Sequence, residues 1–349
     1  MNPQSLRRLA ALLITTGALA ACKDDEPTKP GTIDEELPDD TGGDGGDGAG
    51  DGGDGGTPCE VAPTTMSPET GSIDVYNRGE MVILFDADVR ELAPVISLVD
   101  ASGANIPVNY TFDDTGLQVV AVPASGALAP NTQHTLSAAV CDNQLQSQFT
   151  TSAYGESLTI SSPDLTGLTY YFNLGYADYV QPEGLGAVLS TFLTDPLLIG
   201  VGAVDSTSIQ ILGTQGRMNE DTGEITRRSG FDIWDFGVAS FSDSPYFESD
   251  PTDIAIVYSG VEIPMYDFRL AGTFAADGSS IGFASAEGIG DSRNMGVLVG
   301  LGSDPNAVCD LAAGFGFTCE DCPDGGRYCV RIEAYFDPSP LVEGLTLIE

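Results

Sequence analysis

The 349-residue chain carries 52 acidic and 13 basic side chains, a formal net charge of −39. That balance excludes a nucleic-acid binder, whose electrostatic footprint is a basic stripe, and the length fits two folded units at about 100–200 residues each. The one histidine, His134, removes most imidazole-based catalysis and metal chemistry before any motif is considered.

Arg7 and Arg8 open the chain with a short basic region, and Leu9 to Ala21 is apolar or small apart from Thr15 and Thr16. A bilayer span needs about 20 apolar residues, so this run reads as the core of a signal peptide over 1–21. It ends in Leu19-Ala20-Ala21-Cys22, which resembles the lipobox of bacterial lipoproteins. The resemblance implies cleavage before Cys22, diacylglycerol on its sulfur and an acyl chain on its amine. At about 0.8 kcal/mol per buried methylene, several acyl chains would anchor the protein durably to a membrane. The expected location is the cell envelope, lipid-anchored at the periplasmic or surface face of the outer membrane; the Asp that would suggest inner-membrane retention in enteric bacteria is absent at Lys23, whose effect on routing depends on the organism.

Between Cys22, which the resemblance implies is lipidated, and residue 58 a linker is expected. Residues 23–58 hold twelve acidic side chains, and Gly42 to Gly56 contains only Gly, Asp and one Ala. Such a segment has nothing to bury against the entropy cost of ordering and is expected to be disordered. As a flexible leash it would span roughly 30–35 Å. Its Asp spacing matches neither an EF-hand loop nor a calcium-binding nonapeptide.

From Cys59 onward, short β-rich runs alternate with turn residues. Strands are predicted over Met81–Phe85, Val95–Val99, Ile106–Phe112, Leu117–Val122, Thr135–Val140 and Gln146–Thr151. This pattern over 59–153 reads as an antiparallel sandwich. Pro68-x-x-Gly71, Ile83-Leu-Phe-Asp86, Leu98-x-Asp100-x-x-Gly103, Leu128-x-Pro130-Asn131-Thr132-x-His134-Thr135 and Phe149-x-Thr151 resemble the bacterial Ig-like modules of surface-layer proteins and adhesins. The resemblance implies a spacer or display role with no catalytic residues. His134 departs from it, because the family usually has Tyr at that corner.

Setting Cys22 aside leaves six cysteines, an even number that suits a disulfide framework in an oxidising compartment. Cys59 and Cys141 bracket the Ig-like segment and are expected to pair. The remaining four allow three pairings; Cys309–Cys322 with Cys319–Cys329 is preferred narrowly over Cys309–Cys319 with Cys322–Cys329. Zinc is disfavoured, and no thioredoxin-like pattern surrounds Cys319-x-x-Cys322.

Residues 154–349 also read as mostly β, with strands over Leu168–Leu174, Leu197–Val204, Ser208–Leu212, Ile254–Tyr258, Phe268–Phe274, Ile281–Ala286 and Arg327–Tyr335. Asp277-Gly278 marks a hairpin. Short helices are predicted over Gly186–Phe192, Met295–Leu301 and Asn306–Ala313. The fold class is therefore all-β: an Ig-like β-sandwich plus a second β-rich sandwich or partly closed barrel with short helices.

The chemistry in this half is thin. Gly290-Asp-Ser292 resembles the nucleophile motif of GDS-type esterases, but the Asp-x-x-His which that family needs is absent from the sequence. Carboxylate pairs such as Asp232 with Asp235, or Glu287 with Asp291, are candidates for glycosidase chemistry, yet chance supplies such pairs in so acidic a chain. Trp234, Asp235, Arg269, Asp291 and Arg293 are the weak cleft candidates. No cofactor, metal or catalytic residue is indicated. The expected function is a membrane-anchored envelope lipoprotein contacting an envelope, matrix or protein partner, and not an enzyme. A small-molecule or lipid carrier with a C-terminal barrel cavity, and a carboxylate-based secreted hydrolase, are the alternatives.

Overall fold

A computed structural model describes residues 59–348 apart from 183–185, 187–192, 194, 220, 315 and 317. The signal peptide, Cys22 and the acidic segment lie outside the described residues, as does nearly all of the helix expected over Gly186–Phe192.

The first lobe is built from β1 (Pro63–Ser67), β2 (Met81–Phe85), β3 (Val95–Asp100), β4 (Asn105–Ile106), β5 (Val108–Phe112), β6 (Gln118–Pro123), β7 (Gln133–Val140) and β8 (Asn143–Thr150). They form two antiparallel sheets in the orders β1-β2-β6-β5 and β4-β3-β7-β8. Period-two alternation turns Met81, Ile83 and Phe85 of β2 inward, where they meet Leu136, Ala138 and Val140 of β7 in one apolar cluster. The single run predicted over Ile106–Phe112 is two strands in different sheets. Pro107, which has no N–H for a ladder, sits where the chain crosses between them. His134 opens the inward row of β7 and is buried.

The second lobe follows with β9 (Thr169–Phe172), β10 (Asp178–Gln181), β11 (Leu197–Val204), β12 (Ser208–Met218), β13 (Ile225–Arg227), β14 (Trp234–Ser240), β15 (Tyr246–Glu248), β16 (Thr252–Tyr258), β17 (Val261–Phe274), β18 (Ser280–Asp291), β19 (Cys329–Tyr335) and β20 (Ser339–Pro340). One sheet runs β13-β12-β11-β9, with β14 also on β12; the other runs β10-β19-β18-β17-β15, with β16 on β17 and β20 on β18. The predicted hairpin at Asp277-Gly278 joins β17 to β18. Gly278 takes φ +72°, a conformation costly for other residues. The fold is all-β. Tyr170, Phe172, Phe236, Phe241, Phe247 and Phe274 are each nearly or fully buried and fill the space between the sheets. The helix expected over Met295–Leu301 is a 3₁₀ turn, Met295–Val297, and the next is the α-helix Ala307–Ala313.

Cys59 is bonded to Cys141. The four C-terminal cysteines correct the preferred pairing: the bonds are Cys309–Cys319 and Cys322–Cys329, not Cys309–Cys322 and Cys319–Cys329. The reason is local. A turn closed by Cys322 N–H donating to the Gly326 carbonyl, at 2.9 Å, reverses the chain. Glu320 and Cys329 then exchange backbone hydrogen bonds at 2.7 and 3.1 Å, which leaves the Cα atoms of Cys322 and Cys329 5.1 Å apart, within bonding range.

Candidate functional site

The five residues singled out from the sequence do not share a cleft. Trp234 is half-buried against the second core, and its ring lies over Gly213, its cross-strand partner. A Cβ at Gly213 would come within 3.2 Å of that ring. Asp235 accepts hydrogen bonds from Gln210 Nε2 and from the Gly237 N–H, each at 2.9 Å. Both residues have structural work that needs no ligand.

Buried Asp291 and half-buried Arg293 form an anchor. The guanidinium grips the carboxylate through Nε at 3.0 and 2.9 Å and through Nη2. Nη2 also reaches Asp324 Oδ2 at 2.6 Å. Burial pushes the Asp291 carboxyl up, but Arg293 outweighs it, and the carboxyl is held below its ordinary value of 3.8. The cluster ties the disulfide-braced loop, through Asp324, to the end of β18. Glu287 is four residues from Asp291, about 13 Å along an extended strand. Strand spacing therefore argues against a glycosidase pair, which needs carboxyl groups roughly 5–9.5 Å apart.

Arg269 has a more open setting. It projects from β17 on the outer face of its sheet, with Glu248 at 3.8 Å and Glu287 at 3.7 Å. It edges a surface depression of about 470 Å³ that includes Ser240, Ser242, Asp243, Tyr246, Glu248 and Asp250. The Tyr246 hydroxyl donates to Glu248 Oε2 at 2.9 Å. Burial first, and then the adjacent Glu248, raise that phenol above its ordinary value of 10. Arg78 of the first lobe lies 4.1 Å from the centre of the Tyr246 ring and 3.2 Å from Asp243. The hydroxyls of Ser240 and Ser242 pair with each other at 3.0 Å. The depression thus presents hydroxyls and carboxylates. Arg269 and Glu287 were visible in the sequence; the rest of the lining comes from one segment, residues 240–250, which runs from the end of β14 through β15 and carries no recognisable motif. Among the described residues, no group of three or more His, Cys, Asp or Glu gathers to hold a metal.

No family model matches the chain, and no curated protein does. Among solved structures, CopC from Methylosinus trichosporium OB3b is 15% identical over 26% of this chain and 93% of that one, with a TM-score of 0.23. The S-layer protein rSbsC(31-844) is 7% identical over 79% of this chain and 51% of that one, with a TM-score of 0.21. Likenesses this slight carry no inference about what the chain does.

Proposed function

We propose that the chain is an exported lipoprotein of the bacterial cell envelope, tethered through Cys22 to the outer membrane. On this reading the acidic segment holds two β lobes, an Ig-like spacer over 59–153 and a second lobe over 154–349, clear of the lipid. The protein acts by contact with a polar envelope, matrix or protein partner rather than by catalysis. One observation carries this most directly. All six cysteines after Cys22 are bonded in pairs, as expected in an oxidising compartment. Cys22 is thus the one cysteine outside those pairs, at the position where acylation requires a thiol. The aromatic filling of the second core weighs against a carrier with an internal cavity.

Mass spectrometry of the protein purified in mild detergent tests the proposal. The expected mature chain begins at Cys22 and carries a diacylglycerol and an acyl group, and Cys22→Ala yields lipid-free protein released from membranes. A wild-type chain recovered with its leader uncut and its Cys22 unmodified would overturn it.

A further inference from the structure

Phe283 lies on β18 with φ +49°, a backbone conformation a bulky side chain rarely adopts. It sits in a β-bulge: β17 advances two residues, Ala271 to Thr273, while β18 advances three, Ser285 to Gly282. A bulge re-aims the side chain it carries. Phe283 is absent from the second lobe's core. Its ring stacks instead on Tyr76 of the first lobe, centroids 4.5 Å apart and planes 14° apart.

The preceding residue completes the contact. Gly282 leaves bare backbone on which the Tyr154 ring rests; a Cβ there would fall 2.5 Å from that ring. Tyr154 also meets Phe283 edge-on at 5.7 Å, and its hydroxyl pairs with Ser280 Oγ at 2.9 Å. Tyr154 belongs to the connector between the lobes, and that connector is pinned at both ends. Ser152 N–H donates to the Val75 carbonyl at 2.8 Å, and Thr159 N–H to the Ala276 carbonyl at 2.7 Å. Arg78, lying over Tyr246 and paired with Asp243, adds a second bridge.

Backbone strain persists only where surrounding structure overdetermines it, and it clusters where it serves a purpose. We propose that Tyr76, Tyr154 and Phe283 form a locking joint that fixes the second lobe's orientation on the first, so that the two move as one rigid body. The joint stands whether or not Cys22 is acylated. It makes the first lobe a rigid mount, so that flexibility in presentation must come from elsewhere in the chain.

Distance measurement by electron paramagnetic resonance on the full chain tests this. Nitroxides on non-canonical side chains at Val95 and Val238, one exposed site in each lobe, leave the cysteines untouched. The expected result is a single narrow distance peak. Two variants should lose it while keeping their circular dichroism spectrum: Phe283→Asn, since Asn tolerates the left-handed backbone, and Gly282→Ala, whose methyl evicts Tyr154. Tyr110→Ala, on the outer edge of the first lobe, should keep it. A broad distribution in the unsubstituted chain overturns the proposal, as does a peak unchanged in Phe283→Asn and Gly282→Ala. Loss of the peak in Tyr110→Ala as well would trace the effect to general loosening and would also overturn it.

Discussion

The side-chain amide of Gln215 pairs with the backbone of Val257 as a neighbouring strand would. The Val257 N–H donates to Oε1 at 2.7 Å, and Nε2 donates to the Val257 carbonyl at 3.0 Å. Gln215 is buried on β12 of one sheet, and Val257 lies on β16 of the other. One amide therefore stitches the two sheets of the second lobe together at the outer strand β16.

Replacing Gln215 with Ala leaves two part-buried backbone groups without a partner. Each such loss costs about 1–3 kcal/mol. Urea denaturation with the disulfides intact should show a lower midpoint for Gln215→Ala. Gln215→Glu should also be destabilised, because a carboxylate accepts from the Val257 N–H but cannot donate to its carbonyl. A variant as stable as the parent would show that water replaces the amide freely.

His134 predicts a pH-dependent loss of stability. Burial lowers its pKa from the ordinary 6.5, opposed by a contact with the Ala129 carbonyl and by Asp100. The unfolded chain therefore takes up the proton first. Stability from this residue is fully present above about pH 6.5 and falls as pH drops towards the depressed folded value. His134→Phe should flatten the profile between about pH 7 and pH 5.5. Thermal melts across that range provide the measurement.

Four turn aspartates extend the acid sensitivity lower. Asp100, Asp113, Asp205 and Asp277 are held below the ordinary 3.8 by hydrogen bonds, foremost from Ser102, Thr115, the Thr207 backbone and Ser279. Asp205 Oδ1 alone accepts the Thr207 and Ser208 N–H groups, each at 2.8 Å. A depressed carboxylate stabilises the fold above its unfolded pKa, and that contribution disappears as pH falls through the folded value. Acid unfolding should steepen below about pH 4, and Asp205→Asn should reduce that steepness. Calorimetry at stepped pH would show it.

Peptide mapping without reduction checks the C-terminal bonds. Cleavage after Arg293, Glu320, Arg327 and Arg331 should give a fragment 294–320 closed on itself by Cys309–Cys319. Residues 321–327 should remain joined to 328–331 through Cys322–Cys329. Alternating pairs would tie all three fragments together.

Much of the architecture was legible because side-chain alternation is a local property of the chain. Met81, Ile83 and Phe85 announce their inward face without knowledge of their partners, and Asp277-Gly278 announces a turn by backbone preference alone. Strands with mixed or short patterns were not legible. β14 and β15 owe their existence to pairing with β12 and β17, and Pro107 divides a run that read as continuous. At the candidate site Arg269 and Glu287 were visible beforehand, since a cation on a predicted strand of an acidic chain stands out, whereas the serines and carboxylates of residues 240–250 do not.

The amino-acid order by itself determined an all-β chain, six cysteines available for pairing and an acidic, glycine-rich composition ahead of Cys59. Only the tertiary structure decided how the four C-terminal cysteines pair, which amide closes the second sandwich and why a phenylalanine occupies a left-handed position. Those choices depend on distances between segments remote in sequence, and such distances exist only once every strand has found its neighbour.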